Sequence, residues 1–416
     1  MPDRANVGEL QQRLASLTPR QRAALDAAMS RRAVTLPPAL AGAASDGRGA
    51  GRPRRRRRET STMEFSLFFF SGDGSKRGEG RYQLLLDCAR YGDRHGYAGI
   101  WVPERHFVDF GGLYPNPSVL AAALAVVTER IQLRAGSVVL PLHHPVRVAE
   151  EWAVVDNLSG GRAAISAASG WHPDDFVVAP GDGGAAYRAR KDIMFGAIDT
   201  VQRLWAGEAV EFERPDGTTQ TVRTLPRPLQ QALPVWVSAA GSVETFQRAG
   251  AIGANVLTGV VAQRMSDLAE KVAAYRQARA AHGHDPAAGT VTAMVHTFLG
   301  PDTEQVREQV REPLIGYLTT FLQQQANVPG GFAELDEDGR RAMLDATFKR
   351  YFDSLALLGD PDKCEALIED LVDAGVGEVA CLVDFGLPAD AVLAGLDHLS
   401  ELQRRYRRSP QEVPGD

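Results

Sequence analysis

The sequence predicts an α/β protein with a (β/α)8 barrel, or TIM barrel, that carries a disordered or helical N-terminal appendage. From Met63 onward, short runs of β-branched and aromatic residues alternate with longer segments of helical periodicity, the pattern of repeated βα units. Eight such runs occur in the 416-residue chain, which is long enough for a barrel of about 250 residues. Polar and glycine-rich residues follow several runs, where the loops of a barrel lie.

The eight predicted strands are separated by helical segments, so a parallel sheet closed on itself accommodates all of them. They comprise residues 64–70, 98–102, 131–140, 163–168, 234–239, 253–258, 290–299 and 378–384. Parallel strands of a barrel end on the same face. The loops that follow the strands are therefore expected to form one active site.

The N-terminal region differs in composition from the rest of the chain. Residues 1–32 show apolar residues at helical spacing and predict a helical leader, whereas residues 33–62 contain few large apolar residues and predict a disordered basic linker. Residues 63–405 form the predicted barrel, and 406–416 a flexible tail. Two interpretations of the leader remain open: a docking segment, or a segment without function that is either a remnant of gene fusion or the result of a misassigned start, with Met63 as the true initiator.

Charge and cysteine content limit the classes of function. Residues 1–62 carry 13 Lys and Arg against 5 Asp and Glu, and the remainder 33 against 47, so an acidic barrel argues against nucleic-acid binding. Cys88, Cys364 and Cys381 are widely spaced, which predicts neither a disulfide framework nor a zinc site. No apolar run suits a membrane span or a signal peptide, so we expect a cytoplasmic protein.

Several segments carry a family resemblance, in order along the chain: Trp101-Val-Pro-Glu-Arg-His-Phe107, Asn116-Pro117, Gly136-Ser-Val-Val-Leu-Pro-Leu-His-His-Pro-Val-Arg147, Asp156-Asn-Leu-Ser-Gly-Gly-Arg162, Ser169-Gly-Trp-His-Pro-Asp-Asp-Phe176 and Cys381-Leu-Val-Asp-Phe-Gly386. Together they resemble the bacterial luciferase-like flavin-dependent monooxygenases. Within that family they are most similar to the MupA-type subfamily of polyketide and nonribosomal-peptide pathways.

The resemblance implies a reaction and a set of partners. Reduced FMN (FMNH2) and O2 would serve to insert oxygen into an intermediate carried by an acyl or peptidyl carrier protein. No dinucleotide fingerprint lies at a strand–helix junction, so a separate flavin reductase would supply the reduced FMN. A homodimer is also expected.

The FMN phosphate is predicted at Ala240-Gly241-Ser242, where a strand passes through a turn of small residues into a helix. Free backbone N–H groups and the helix dipole favour an anion at such a place. From the residues alone, an ordinary left-handed turn is the alternative. Ser169 and His172, after the fourth strand, are expected to approach the flavin.

Gly136 and Ser137 end the third strand, where the resemblance implies a non-proline cis peptide beneath the flavin ring. The residues alone indicate only a strand glycine, which is typical of a bulge or of a close backbone approach.

Glu104, Arg105 and His106 are the predicted catalytic residues. The luciferase pattern is Glu-His-His-Phe, and its first histidine, which is important in catalysis, is replaced here by Arg105. His106 is suited to proton transfer near neutral pH, and Arg105 to holding a carboxylate or phosphate. The alternative is an ion pair between Glu104 and Arg105, with His106 bonded to the backbone.

Three other functions compete with this interpretation. A luciferase-like oxidoreductase that uses deazaflavin F420 would transfer hydride without oxygen, and a noncatalytic protein would only bind flavin or a carrier. A metal-dependent barrel hydrolase would use His143, His144, His172, Asp174 and Asp175. The apolar first strand end, Phe68-Phe69-Phe70, argues against the hydrolase, so we expect no metal.

Overall fold

The computed structural model describes residues 58, 61–70, 81–107, 112–260, 263–324 and 336–407. Its strands are β1 (Glu64–Phe68), β2 (Gly99–Val102), β3 (Gln132–Val139), β4 (Ala163–Ala168), β5 (Val210–Glu213), β6 (Thr219–Val222), β7 (Val235–Ser238), β8 (Asn255–Gly259), β9 (Val291–Leu299), β10 (Leu357–Gly359) and β11 (Glu378–Leu382). Its helices are α1 (Gln83–His95), α2 (Pro117–Ala125), α3 (Pro145–Ser159), α4 (Gly183–Ala206), α5 (Val243–Ala251), α6 (Met265–Ala281), α7 (Thr303–Gln324), α8 (Glu337–Arg350), α9 (Pro361–Asp373) and α10 (Ala389–Tyr406).

Eight parallel strands form a closed barrel in the order β1-β2-β3-β4-β7-β8-β9-β11. The closing pairs are β8 with β9, β9 with β11 and β11 with β1. The predicted TIM barrel is therefore confirmed, and every predicted strand is present with its ends within about two residues, the usual uncertainty of such bounds.

Three strands outside the barrel were not predicted. Strands β5 and β6 form an antiparallel hairpin between α4 and β7. Strand β10 pairs with the C-terminal end of β9. Asp216 and Gly217 turn the hairpin, with Gly217 at φ 79°. An Asp-Gly pair between short runs is a hairpin signal, so this element was available from the sequence.

Helix ends follow local sequence signals. Asn116 caps α2 by accepting hydrogen bonds from the backbone of Ser118 and Val119, with Pro117 at the first helical position. His144 caps α3 through Nδ1, 3.3 Å from the Val146 nitrogen. That helix ends at Gly160 in the left-handed conformation. None of the described helices is both long and apolar enough to cross a membrane.

A buried ion pair fills the N-terminal half of the barrel. Arg134 Nη1 lies 2.5 Å from Glu378 Oε1, and the guanidinium lies 4.8 Å from the Trp101 ring and 4.7 Å from the Trp236 ring. Ser66 also donates to Glu378. Because this half is filled, space for a reaction is left to the C-terminal half.

Most of the predicted leader and linker, together with residues 408–416, lies outside the described residues. Arg58 and Ser61, at the end of the predicted linker, both donate to Glu369 on α9. Two residues at the start of the predicted tail are ordered. Tyr406 is the last residue of α10 and its side chain is buried, and Arg407 donates to the carbonyl of His95.

Candidate active site

A buried carboxylate with two histidines lies at the C-terminal end of β2. Glu104 Oε1 accepts hydrogen bonds from His143 Nε2 at 2.6 Å and from His106 Nε2 at 3.0 Å. Its Oε2 accepts from the backbone nitrogen of Val139 at 2.7 Å. Two successive loops are thereby joined through one side chain, which we call the Glu104 cluster: Glu104, His106 and His143.

Hydrogen bonding sets the protonation of this cluster. Burial acts to raise the pKa of Glu104, but the hydrogen bonds from His106, His143 and Val139 outweigh it and lower the pKa. Burial acts to lower the pKa of His143, yet its hydrogen bond to Glu104 prevails and raises it. The cluster therefore favours an ionised carboxylate beside a histidine that holds its proton.

His143 is a member of this cluster that sequence reasoning considered only as a metal ligand. Its signal was the His143-His144-Pro145 run in the connection between β3 and α3. The two histidines have different roles, because His144 caps α3 and His143 contacts Glu104. Among the described residues, no three His, Cys, Asp or Glu side chains are grouped to hold a metal.

Arg105 lies beside the Glu104 cluster, with its side chain buried. The guanidinium is 5.0 Å from the Trp171 ring and 5.7 Å from the Phe70 ring. Burial lowers the pKa of Arg105, although the negative charge of Asp175 acts to raise it. Burial raises the pKa of Asp175, although the positive charge of Arg105 acts to lower it. The hydrogen bonds of Glu104 go to the two histidines and Val139, in place of the Glu104–Arg105 ion pair considered from the sequence.

The Gly136–Ser137 peptide is cis, as predicted. Gly136 pairs with Ser166 and Val138 with Ala167, so Ser137 is the extra residue of a bulge in β3. A Cβ on Gly136 would lie 2.8 Å from the Phe68 ring and 3.1 Å from Trp101 Cβ. Only glycine fits this backbone position.

Three serine hydroxyls form a hydrogen-bonded chain at this bulge. Ser137 Oγ and Ser166 Oγ each lie 2.8 Å from Ser238 Oγ. Ser166 and Ser238 were missed from the sequence, although each is at or near the C-terminal end of its strand. The chain links β3, β4 and β7, which are neighbours in the barrel.

The predicted phosphate turn, Ala240-Gly241-Ser242, lies between β7 and α5. Gly241 is absent from the positive-φ glycines, so the left-handed-turn alternative does not hold, and a Cβ there would meet no atom within 4 Å. The Ser242 side chain makes no capping hydrogen bond to α5. The turn thus presents open space and the start of a helix.

A buried lysine that sequence reasoning missed lies behind this turn. Lys271 Nζ donates to Gln263 Oε1 at 2.8 Å and lies 3.5 Å from the carbonyl oxygen of Ala240. Burial lowers the pKa of Lys271. Its position in the middle of α6 gave no sequence signal, because only the fold brings α6 beside the β7 loop.

Ser169 and His172 follow β4, as expected. His172 Nδ1 is buried and lies 4.0 Å from carboxylate oxygens of Asp174 and Asp175. The predicted site residues therefore occupy the ends of four consecutive barrel strands, β2, β3, β4 and β7. The barrel brings together residues that span positions 104 to 242 of the chain.

Comparison with known proteins places the chain in a family. The profile of luciferase-like monooxygenases matches residues 63–378. The chain belongs to this family. Among its curated relatives, limonene 1,2-monooxygenase of Rhodococcus erythropolis is 30% identical over 302 residues, which are 70% of this chain and 72% of that protein.

A second relative is the oxygenase component of flavin-dependent trigonelline monooxygenase from Acinetobacter baylyi, 32% identical over 185 residues. That match covers 42% of this luciferase-like chain and 49% of the relative, so the chain spans about half of that protein's length.

Solved structures show the same fold. The oxygenating constituent of 3,6-diketocamphane monooxygenase from Pseudomonas putida, in complex with FMN, has a TM-score of 0.66 at 18% identity and covers 84% of this chain and 100% of that one. An F420-dependent secondary alcohol dehydrogenase has a TM-score of 0.61 at 16% identity, covering 83% and 100%. The fold therefore occurs with both cofactors, and fold likeness alone does not choose between them.

Proposed function

We propose that the chain is the oxygenase of a two-component flavin-dependent monooxygenase. It takes reduced FMN from a separate flavin reductase and uses O2 to insert one oxygen atom into an organic substrate. The observation that carries the proposal is the Glu104 cluster, a buried carboxylate holding two histidines one strand away from the Gly136–Ser137 bulge. The family membership supports the same reaction.

The turn at Ala240-Gly241-Ser242 fits the phosphate of FMN. It has space above Gly241, a serine hydroxyl that makes no cap, the N-terminus of α5, and the Lys271 ammonium behind it. Each of these features favours an anion. When bound, reduced FMN would supply the electrons that activate oxygen.

Substitution of Gly241 tests this placement. Gly241→Asp puts a carboxylate where the phosphate is proposed, so FMN affinity should fall about 100-fold, or roughly 3 kcal/mol. The matched control is Gly196→Asp, which adds the same charge at an exposed position of α4. Fluorescence titration of FMN would measure both. Equal affinity in the two variants would place the phosphate elsewhere.

The protein's own groups control protons and water. Because Glu104 accepts from Nε2 of His106, Nδ1 is the ring nitrogen left to exchange a proton with a bound substrate. Arg105 holds a fixed positive charge against Trp171 and Phe70, where it can bind an anionic group of the substrate.

The proposed substrate is an intermediate on an acyl or peptidyl carrier protein in polyketide or nonribosomal-peptide biosynthesis. The motif resemblance to the MupA-type subfamily supports this assignment. We further propose that the enzyme is a homodimer and that residues 1–32 recruit the carrier. A basic tether between this segment and the barrel would raise the local concentration of an acidic carrier protein.

One incubation tests the reaction. The full chain is mixed with FMN, a flavin reductase, NADH and carrier-bound substrates, and oxygen uptake and intact mass are followed. Product heavier by about 16 Da, one oxygen atom, is expected only with FMN and reductase present. A parallel incubation replaces FMN with reduced F420 and excludes oxygen. Reduced product under those conditions, with no oxygen uptake in the first, would replace the proposal with hydride transfer.

A further inference from the structure

An aromatic box encloses a histidine two barrel strands away from β7, the strand that precedes the proposed phosphate turn. His296, on β9, contacts the rings of Tyr317, Tyr351 and Phe385 at centroid distances of 4.4, 5.7 and 5.6 Å. All three contacts are edge-on. We call these four residues the His296 box.

The box contains polar atoms without partners. Neither ring nitrogen of His296 nor the hydroxyl of Tyr351 has a hydrogen-bond partner in the part of the chain that the structure describes. His296 is 1% exposed and Tyr351 is 1% exposed. Buried polar groups in native proteins are almost always paired, so two unpaired side chains in ring contact indicate a missing partner.

The position of the box points to the kind of partner. His296 pairs in register with Leu382, just before Asp384 and Phe385, at the C-terminal end of the barrel. The Tyr317 hydroxyl is close enough to Arg105 and Asp384 to feel their charges. The box therefore adjoins the predicted catalytic residues; it lies across the barrel from β3 and β4 and two strands from β7, the three strands that carry the proposed flavin-binding residues.

The local backbone adds a second indication. Tyr351 begins a π-helical turn, Tyr351–Leu355, that follows α8. Such turns are rare and are found frequently at functional sites. This turn sets the Tyr351 ring against His296.

We propose that His296 and Tyr351 form the polar end of the substrate pocket, where they donate hydrogen bonds to one carbonyl oxygen of an otherwise apolar substrate region. This inference rests on the proposed function, because it takes the barrel mouth as the site of oxygenation. The three surrounding rings supply apolar contact, and the two donors fix the position of the carbonyl.

The chemistry of the box selects an uncharged oxygen. Burial lowers the pKa of His296 to about 3, so its imidazole is neutral at physiological pH. A neutral imidazole offers one N–H donor, and the tyrosine offers one O–H donor. A carbonyl oxygen accepts two hydrogen bonds, whereas a carboxylate would bring an uncompensated charge into an apolar box.

The test compares ketones with hydrocarbons of the same skeleton. Binding of camphor against camphane, and of a long methyl ketone against the alkane of equal length, is measured by thermal shift on the full chain without flavin. The wild-type protein should prefer each ketone. His296→Phe and Tyr351→Phe should each lower ketone affinity about tenfold and leave hydrocarbon affinity unchanged. His296→Gln, which keeps a donor, should retain part of the preference.

Stability separates this role from a purely structural one. His296→Phe should raise the melting temperature of the unliganded protein, because it removes unpaired nitrogens and keeps an aromatic ring. The matched control is Tyr275→Phe, which removes a buried hydroxyl that donates to Ala254 at 2.8 Å. That variant should lower the melting temperature and leave ketone binding unchanged.

Two results would overturn the inference. One is the absence of a ketone preference in the wild-type protein, which would mean that the two groups serve an internal water. The other is a ketone preference that survives both His296→Phe and Tyr351→Phe. Because binding is measured without FMN or oxygen, a ketone preference lost in these variants would stand even if the chain failed to consume oxygen. Normal oxygen uptake with no ketone preference would contradict this inference and leave the proposed monooxygenase function in place.

Discussion

Each half of the barrel interior contains a buried carboxylate, and the two are held in different ways. Glu378, in the N-terminal half, is paired with Arg134, whose charge is permanent and whose guanidinium lies between two tryptophan rings. Glu104, in the C-terminal half, is held by two histidines, whose charge depends on pH. The sequence thus has an arginine where the charge is structural and histidines where a proton can move.

The largest expected effect is on the N-terminal pair. Glu378→Ala leaves the Arg134 charge buried without its partner, so the free energy of unfolding should fall by about 3–5 kcal/mol. Urea denaturation would measure the change. Removing Asp345 from its half-exposed pair with Arg311 should cost less than about 1 kcal/mol. A similar small cost for Glu378→Ala would show that the barrel interior admits water.

The second prediction concerns Glu104. Glu104→Gln keeps the shape of the side chain but removes the charge that fixes His106 and His143, so turnover should fall about 100-fold. FMN affinity should change little, because the phosphate turn is three strands further along the barrel. Single-turnover kinetics and FMN titration separate the two quantities. Parallel losses of turnover and FMN affinity would give Glu104 a structural role like that of Glu378.

Much of the barrel could be predicted, because alternation of β-branched runs with helical segments is a local signal. Glu104, Gly136 and Ser169 could then be identified as candidate site residues, because they lie at or just after the C-terminal ends of predicted strands. Lys271 and His296 could not be found in this way, since nothing near them in sequence distinguishes them from other helix and strand residues. Their chemistry comes from contacts made only in the folded barrel, between α6 and the β7 loop and between β9 and Tyr351.

The third prediction uses pH to separate the two carboxylates. The pKa of His143 is raised above 6.5 and that of Glu104 is lowered below 4.5. The stabilisation from His143 is complete below pH 6.5 and is lost as the pH rises through the pKa of His143 in the folded protein. The stabilisation from Glu104 is complete above pH 4.5 and is lost as the pH falls through the pKa of Glu104 in the folded protein.

Between these limits both groups are charged, so the stability difference between the wild type and Glu104→Gln should be largest there. It should shrink as the pH rises from about 6 to about 8.5, because His143 loses its charge there. The difference between the wild type and Glu378→Gln should stay constant over the same range, because Arg134 keeps its charge. Thermal unfolding at the two pH values measures both. A constant difference for Glu104 would mean that His143 does not titrate there.

The smallest expected effect is at Glu369 on α9, a third buried carboxylate, near the N-terminal face of the barrel. Its Oε2 accepts from Ser61 Oγ at 2.9 Å and from Arg58 Nε at 3.1 Å. The Arg58 side chain is 49% exposed, so this pair lacks the enclosure of Arg134 and Glu378. Ser61→Ala should therefore lower the free energy of unfolding by at most about 1 kcal/mol.

Truncation tests whether anything before these two residues supports the barrel. A chain of residues 58–416 should melt at the temperature of the full chain, because it keeps both donors to Glu369. A chain of residues 63–416 should still fold, since the buried apolar residues of the described part of the chain begin at Met63. It should melt a few degrees lower, as expected for a loss of about 1 kcal/mol. Equal melting temperatures for the two truncated chains would show that Glu369 finds other partners once Arg58 and Ser61 are gone. Failure of the 63–416 chain to fold would instead make the N-terminal contacts as important as the Arg134–Glu378 pair.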